Sequence, residues 1–388
     1  MDILVGISAK NVESTIVHVM NVVSLGLMEF FSEYNNLVVV SDGFSTDRTF
    51  ELAELFGLPD RINKIVTEDH GNSGKGCAIR TIFEIAALSD AKAVVTIDGD
   101  LFSIKPDWIQ NLVQPCMYGR ADLVVPFYVR DKYDGVITNN LAYPYMRSLY
   151  GIKVRQPIGG DYGLSNEMVE ILRKHPMFPD HFGIDIFITT VASGEHMDIS
   201  EALLGLKIHE STTKYLEPGK HLIPMFRQVV GTMFGLTEYY EDEWKKTHKR
   251  DIKRRIGRYY GQRPVPVKVD LEKIVKTYKA DYLNYKEYLA SILPEELLNV
   301  VEENINSEKP DFKPEHWART VYTIASKYKR SDKNEKPFIL DALRVLWLIR
   351  YASYVVETEG MDIDEAERVI EEQARIFEEE KDYLISIY

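Results

Sequence analysis

Through about residue 215 the chain alternates short β-rich apolar runs with amphipathic stretches, and this alternation restricts its fold more than any other feature. Such a pattern arises when helices cover the faces of a mostly parallel sheet. The runs 3–7, 37–40, 64–66, 93–97 and 123–125 are expected strands. Between them 14–25, 46–55 and 76–88 are expected helices, each opening near a Ser, Thr, Asp or Gly that suits a helix start. Residues 1–220 therefore have the layout of an α/β nucleotide-binding domain.

Beyond residue 220 apolar side chains recur at helical spacing through 271–275, 282–289, 297–301, 317–324 and 339–356. Residues 221–388 are expected to be a mainly helical C-terminal region, with a possible role in homodimer or higher homo-oligomer formation. The prolines of segment 261–266 mark an expected linker. The basic run 245–258 follows an acidic block at 238–243 and reads as faces of a solvated helix paired with neighbours, or as a phosphate- or subunit-facing surface.

A chain of 388 residues with 45% hydrophobic content can bury a substantial core. Its formal charge of -13 argues against a nucleic-acid partner, because such interfaces need a basic surface. Cys77 and Cys116 are the only cysteines, too few for a disulfide framework or a zinc site, and suit a reducing cytoplasm. The first ten residues lack the basic start and cleavage pattern of a signal peptide. The apolar stretch 338–356 carries Asp341, Arg344 and Arg350, which suits a core helix and not a bilayer span. A cytoplasmic protein with no membrane partner is expected.

The residues of chemical interest fall at strand ends. The run Ala93 to Ile97 leads into Asp98, Gly99 and Asp100, whose two carboxylates can point the same way. Hard oxygen ligands at the carboxyl end of a strand suit magnesium or manganese bound together with substrate phosphates, and ligands of parallel α/β sheets collect at that edge. The same residues also fit a polar turn closing a strand. Asp42 ends a second strand, in a turn that either contacts a base or ribose or supplies an N-cap at Ser45 or Thr46. Lys75 stands in the glycine-rich loop 71–76 before a helix, apt for a diphosphate. This is not a P-loop, since Gly76 and Cys77 follow the lysine.

Taken in order, Gly74-Lys75-Gly76, Asp98-Gly99-Asp100 with Lys105 to Ile109 behind it, Gln156 to Gly160, Gly183-Ile184-Asp185 and Lys207-Ile208-His209 resemble the mannosylglycerate, glucosylglycerate and glucosyl-3-phosphoglycerate synthases. The resemblance spans about residues 1–215. It implies a GT-A fold and a retaining transferase that takes a hexose from a nucleoside-diphosphate sugar. The donor would be GDP-mannose or GDP-, UDP- or ADP-glucose, and the cofactor a divalent cation, Mg2+ or Mn2+. Asp100 is the implied direct metal ligand, joined by His209 and the donor diphosphate, while Asp98 would meet the ribose or the metal's water shell. Lys75 would neutralise diphosphate charge, Lys10 would approach the nucleotide, Gly159 and Gly160 would let backbone approach the sugar, and Asp185 would hold its hydroxyls. Asp100, Asp185 and Lys75 are thus the implied catalytic residues.

Residues 127–130 and 134–138 resemble the glycerate-binding segment of mannosylglycerate synthase, which implies acceptor contacts from Arg130, Asp134 and Thr138. The phosphoglycerate-using relatives place an arginine two residues before that threonine, where this chain has Val136. The expected acceptor is therefore D-glycerate, giving mannosylglycerate or glucosylglycerate as a compatible solute, with 3-phosphoglycerate as the alternative. Two readings from other classes are a sugar-phosphate nucleotidylyltransferase, whose glycine-rich N-terminal loop is absent, and a binding or scaffold protein without turnover.

Overall fold

The computed structural model describes residues 1–209, 222–246, 249–258 and 261–388. Its packing divides the chain into two compact units, one of residues 1–129, 154–225 and 251–263, the other of 130–153, 226–250 and 264–388. The chain thus passes between units more than once, whereas the sequence suggested a single boundary at 220/221, which lies outside the described residues.

The first unit is built on an eight-stranded sheet. Its strands are β1 (Ile3–Ala9), β2 (Asn36–Asp42), β3 (Ile62–Glu68), β4 (Ala93–Asp98), β5 (Leu123–Val129), β6 (Tyr162–Ser165), β7 (Ile199–Leu206) and β8 (Arg255–Ile256), in the order β3-β2-β1-β4-β6-β5-β7-β8. All neighbours are parallel except β6, which runs antiparallel to both β4 and β5. The register pairs Ala9 with Asp42 and Ser8 with Asp98, so the carboxyl ends of β1, β2 and β4 form one edge.

Helices α1 (Ile16–Phe31), α2 (Thr49–Leu55), α3 (Lys75–Leu88), α4 (Pro106–Met117), α6 (Asn166–Lys174) and α7 (Ile184–Gly194) belong to this unit. Val5, Ile7, Val38, Val95 and Ile97 pack with Ile16, Val23 and Leu27 of α1 and with Trp108 and Leu112 of α4 in one buried cluster. All five expected strands recur inside observed ones, four of them because strands buried on both faces read as continuous apolar runs, while the edge strand β3 is partly exposed along most of its length. The three they omit lack such a run. In β7 the fully buried Glu201 interrupts it, compensated by the Arg155 N–H at 2.8 Å and Arg255 Nε at 2.9 Å. The run 245–258 departs from the expected helix, since it holds β8. Some of its cations are nevertheless paired, Lys245 with Glu241, Lys253 with Asp198 and Arg255 with Glu201.

The second unit is helical. After a π-turn at Thr138–Ala142 come α5 (Tyr143–Tyr150), α8 (Leu222–Tyr239), α9 (Glu241–Trp244), α10 (Leu271–Ile292), α11 (Glu295–Asn306), α12 (Pro314–Arg330), α13 (Glu335–Glu357), α14 (Ile363–Glu379) and α15 (Lys381–Ile387). The apolar segments 271–275 and 282–289 are parts of the single helix α10, capped by Asp270. Every residue of α5 is buried, and Arg147 on it binds Glu371 and Glu378 of α14. Among the described residues no helix is long and apolar enough to cross a membrane.

Helix α4 lies so close on β6 that a Cβ on Gly163 would overlap the Leu112 carbonyl oxygen, a backbone atom that cannot swing aside. Gly163→Ala should therefore lower the unfolding free energy by about 2 kcal/mol, as overpacking of a tight core does. Urea denaturation checks this, and an unchanged midpoint would contradict the packing described.

Candidate active site

The carboxyl edge of the sheet gathers most of the implied site. Asp98 closes β4, and its two oxygens go to different lysines: Oδ1 lies 3.0 Å from Lys75 Nζ and Oδ2 2.9 Å from Lys207 Nζ. Lys75, the first residue of α3, also reaches Asp185 Oδ2 at 3.0 Å, placed there by the first turn of α7. Lys207 follows β7 and also donates to Asp161 Oδ2 and the Gly159 carbonyl, each at 2.9 Å. Asp161 is fully buried, and its Oδ1 accepts the Asp98 N–H at 2.8 Å while Oδ2 accepts from the Tyr128 hydroxyl.

The charges of this cluster are set by burial working against pairing. Burial opposes ionisation of Asp98, but Lys207 and Lys75 outweigh it and hold the carboxyl well below the usual range. Burial likewise opposes the Lys75 ammonium, and the Asp185 and Asp98 charges reverse that, raising its pKa. For Asp161 and Asp185 burial prevails and pushes both carboxyls up, although a lysine faces each.

Asp100, two residues on, faces elsewhere. An antiparallel bridge between Leu101 and His209, with the Phe102 N–H bonded to the Ile208 carbonyl at 2.9 Å, brings the two chain segments together. It sets His209 Nδ1 3.5 Å from Asp100 Oδ2, a separation at which both can bind one ion of about 2.1 Å bond length. Both side chains are partly exposed. An imidazole nitrogen and a carboxylate oxygen suit magnesium or manganese, so the residues fit the implied cation. The expected set of Asp100, His209 and Asp98 narrows to the first two: among the described residues no three such groups converge, and each Asp98 oxygen is held by an ammonium.

The loops that carry Lys10, Asp42 and Ser73 are knitted together. Asp42 is buried and accepts from the Ser45 N–H at 2.8 Å and the Ser45 hydroxyl at 2.6 Å, while Lys10 bonds Ser73, whose hydroxyl donates to the Gly43 carbonyl. Ser45 and Thr46 do not cap α2, which begins at Thr49 without a side-chain cap. The glycines are required by close packing. A Cβ on Gly159 would strike Pro126, and one on Gly160, where φ is +92°, would strike Asp98 and Lys207. Gly74 and Gly76 likewise seat the start of α3 on the backbone of Pro179 and Asp180.

Arg130, Asp134 and Thr138 belong to the second unit. Arg130 Nη1 lies 3.6 Å from Asp134 Oδ1, and a Cβ on Gly135, at φ +68°, would come within 3.5 Å of the Arg130 guanidinium and 4.0 Å of Thr138. Asp161 and Lys207 had no assigned role in the sequence reading. The available signal was their place beside motif residues, Asp161 after Gly160 and Lys207 before His209.

Residues 5–165 match the model of glycosyl transferase family 2. Most of that match lies within the sheet-bearing unit, whose fold is GT-A. No curated protein matches the chain. Among solved structures, glucosyl-3-phosphoglycerate synthase from Mycobacterium tuberculosis in complex with Mn2+, uridine diphosphate and phosphoglyceric acid is 27% identical, with a TM-score of 0.50 over 61% of this chain and 78% of that one. The same enzyme with phosphoglyceric acid alone gives 27% identity and a TM-score of 0.50 over 61% and 79%. A further complex, with Mn2+, UDP-glucose and phosphoglyceric acid, aligns over 69% and 88% at 24% identity and a TM-score of 0.50, a likeness of fold.

Among the described residues Lys75 is the ammonium that bridges Asp98 to Asp185. Lys75→Met should lower stability at pH 7 by about 3 kcal/mol, because buried carboxylates lose their counter-charge. The gap should narrow in acid: the depressed pKa of Asp98 contributes stability above its unfolded value of 3.8, and that contribution is lost as the pH falls below it. Denaturation curves between pH 7 and 3 check both statements, and a gap independent of pH would contradict the charge network.

Proposed function

We propose that the protein is a retaining hexosyltransferase that moves mannose or glucose from a nucleoside-diphosphate sugar to D-glycerate, making mannosylglycerate or glucosylglycerate as a compatible solute. The observation that carries this reading is the Asp100–His209 pair beside the lysine–aspartate cluster. Asp98, Asp100, Asp161 and Asp185 against Lys75 and Lys207 leave a formal charge of −2. A diphosphate entering so acidic a site needs added positive charge. Asp100 and His209 would hold a divalent cation, Mg2+ or Mn2+, whose chemistry when bound is to neutralise the leaving diphosphate. A cation of this kind is present with uridine diphosphate in the mycobacterial relative.

In this reading Lys10 and Asp42 bind the nucleoside, and Lys75 turns its ammonium to the diphosphate, where negative charge grows as the glycosidic bond breaks. Asp185 accepts hydrogen bonds from sugar hydroxyls, and the backbone at Gly159 and Gly160 forms the wall beside the ring. The acceptor hydroxyl attacks from the face the diphosphate leaves, and a leaving-group oxygen takes its proton. Asp185, its carboxyl pushed up by burial, is the group that would serve as base in an inverting enzyme. Proton NMR of the product separates the two courses, and an inverted anomer would overturn retention.

Arg130, with Asp134 and Thr138, is proposed to bind the acceptor carboxylate. A second reading takes 3-phosphoglycerate as acceptor, because phosphoglyceric acid is the ligand of the mycobacterial relative. Against it, Val136 is apolar, the Lys132 ammonium is held by the Thr358 and Met361 carbonyls, and Arg147 is bound to two glutamates. The domain match favours glycosyl transfer over nucleotidylyl transfer.

Incubation with GDP-mannose and GDP-, UDP- and ADP-glucose, each with glycerate or 3-phosphoglycerate, should release nucleoside diphosphate fastest with glycerate. Preference for the phosphorylated acceptor would select the second reading. Asp100→Ala and His209→Ala should abolish metal-dependent transfer without unfolding, and full activity in EDTA would refute the cation site. Arg130→Ala should raise the acceptor KM at least about tenfold with little change in donor KM, as loss of a charged hydrogen-bond partner does; an unchanged acceptor KM would remove Arg130 from the site.

A further inference from the structure

Lys207 is nearly inaccessible, with 6% of its side chain exposed, and its surroundings use all three donors of an ammonium: Asp98 Oδ2, Asp161 Oδ2 and the Gly159 carbonyl, each at 2.9 Å. Its charge also lies 5.0 Å from the centre of the Tyr128 ring. Asp161 is anchored from three sides, by Lys207, by the Tyr128 hydroxyl and by the Asp98 N–H. Two carboxylates, those of Asp98 and Asp161, thus share one buried counter-ion, and Gly160 leaves room for it where a Cβ would collide with both Asp98 and Lys207.

The division of Asp98 between two lysines matters for catalysis. Lys75 holds one of its oxygens and Lys207 the other. A lysine that must meet an incoming diphosphate has to loosen its own ion pairs, and a buried carboxylate abandoned by its only counter-ion would resist that strongly. We propose that Lys207 is a positioning residue of the donor site, the resident counter-ion that stays with Asp98 and Asp161 and keeps them oriented while Lys75 turns to the diphosphate. Asp161 is its fixed partner in that role. The proposal rests on the sugar-nucleotide reading given above and extends it to a residue that touches neither sugar nor phosphate.

The test compares wild type, Lys207→Met, Lys207→Arg, Asp161→Asn and the double variant Asp161→Asn/Lys207→Met. Calorimetric binding of uridine and guanosine diphosphates with Mn2+ is measured for each, together with donor and acceptor KM, kcat and thermal melting. Lys207→Met should weaken nucleotide binding and raise donor KM by about 30-fold, with acceptor KM nearly unchanged, as truncation of one member of a buried charge pair does. Lys207→Arg should recover part of the loss. The double variant should bind nucleotide more tightly than Lys207→Met, since removing the Asp161 charge relieves the repulsion on Asp98.

A folded Lys207→Met protein with wild-type nucleotide binding and donor KM would overturn the proposal. So would a double variant that melts like wild type yet binds nucleotide no better than Lys207→Met. If Lys207→Met does not fold, the double variant decides alone, and its failure to bind nucleotide when folded counts against the proposal. Wild-type protein that binds no nucleoside diphosphate would instead refute the parent reading. Wild-type turnover with an indifferent Lys207→Met refutes the role of Lys207 alone.

Discussion

The site depends on one buried carboxylate held between two ammonium groups. Asp98 is presented by the end of a strand, Lys75 by the start of a helix and Lys207 by the end of another strand, and none of the three charges is stable at that depth without the others. The sheet register, the glycines at 159 and 160 and the Leu101–His209 bridge are all conditions for that meeting. Asp100 and His209 occupy the rim of the same cluster, where partial exposure leaves the pair accessible to an ion and to substrate oxygens.

Much of this was legible in the sequence, for physical reasons that differ by element. Strands β1, β2, β4 and β5 show as apolar runs because most of their residues are buried, whereas the edge strand β3 is partly exposed along most of its length and shows only as a short β-branched pair. Lys75, Asp98 and Asp185 also meet in space, because the ends of α3, β4 and α7 carry them together, and Asp100 meets His209 across a short bridge. Strand β6 is four residues long with a glycine inside, too short for any pattern, and β7 hides its character behind Glu201, whose compensating Arg255 lies 54 residues away. The roles of Lys207 and Asp161 were equally hidden. An isolated lysine reads as solvated, and the partners that bury this one stand 109 and 46 residues distant.

The helical unit gives a similar lesson. Helix α14 is rich in acid, yet Ala366, Ile370, Ala374 and Phe377 recur on one side of it and are buried, a stripe that a closer reading of periodicity would have found. Its glutamates at 371 and 378 are the counter-charges of Arg147 on the wholly buried α5. Residues 130–153 group with this unit, a grouping that no local pattern announces because it rests on contacts more than 200 residues apart.

The seating of Gly74 and Gly76 on the Pro179–Asp180 backbone has a mechanical consequence. With no side chains between them, the mouth of α3 and the approach to α7 are effectively welded, and the Cys77 N–H bonded to the Asp180 carbonyl adds a rivet. A ligand that pulls on the backbone beneath Lys75 must carry the neighbourhood of Asp185 with it. The spacing of the two side chains is then set as by a calliper through main-chain packing, and a larger residue at either glycine would reset it.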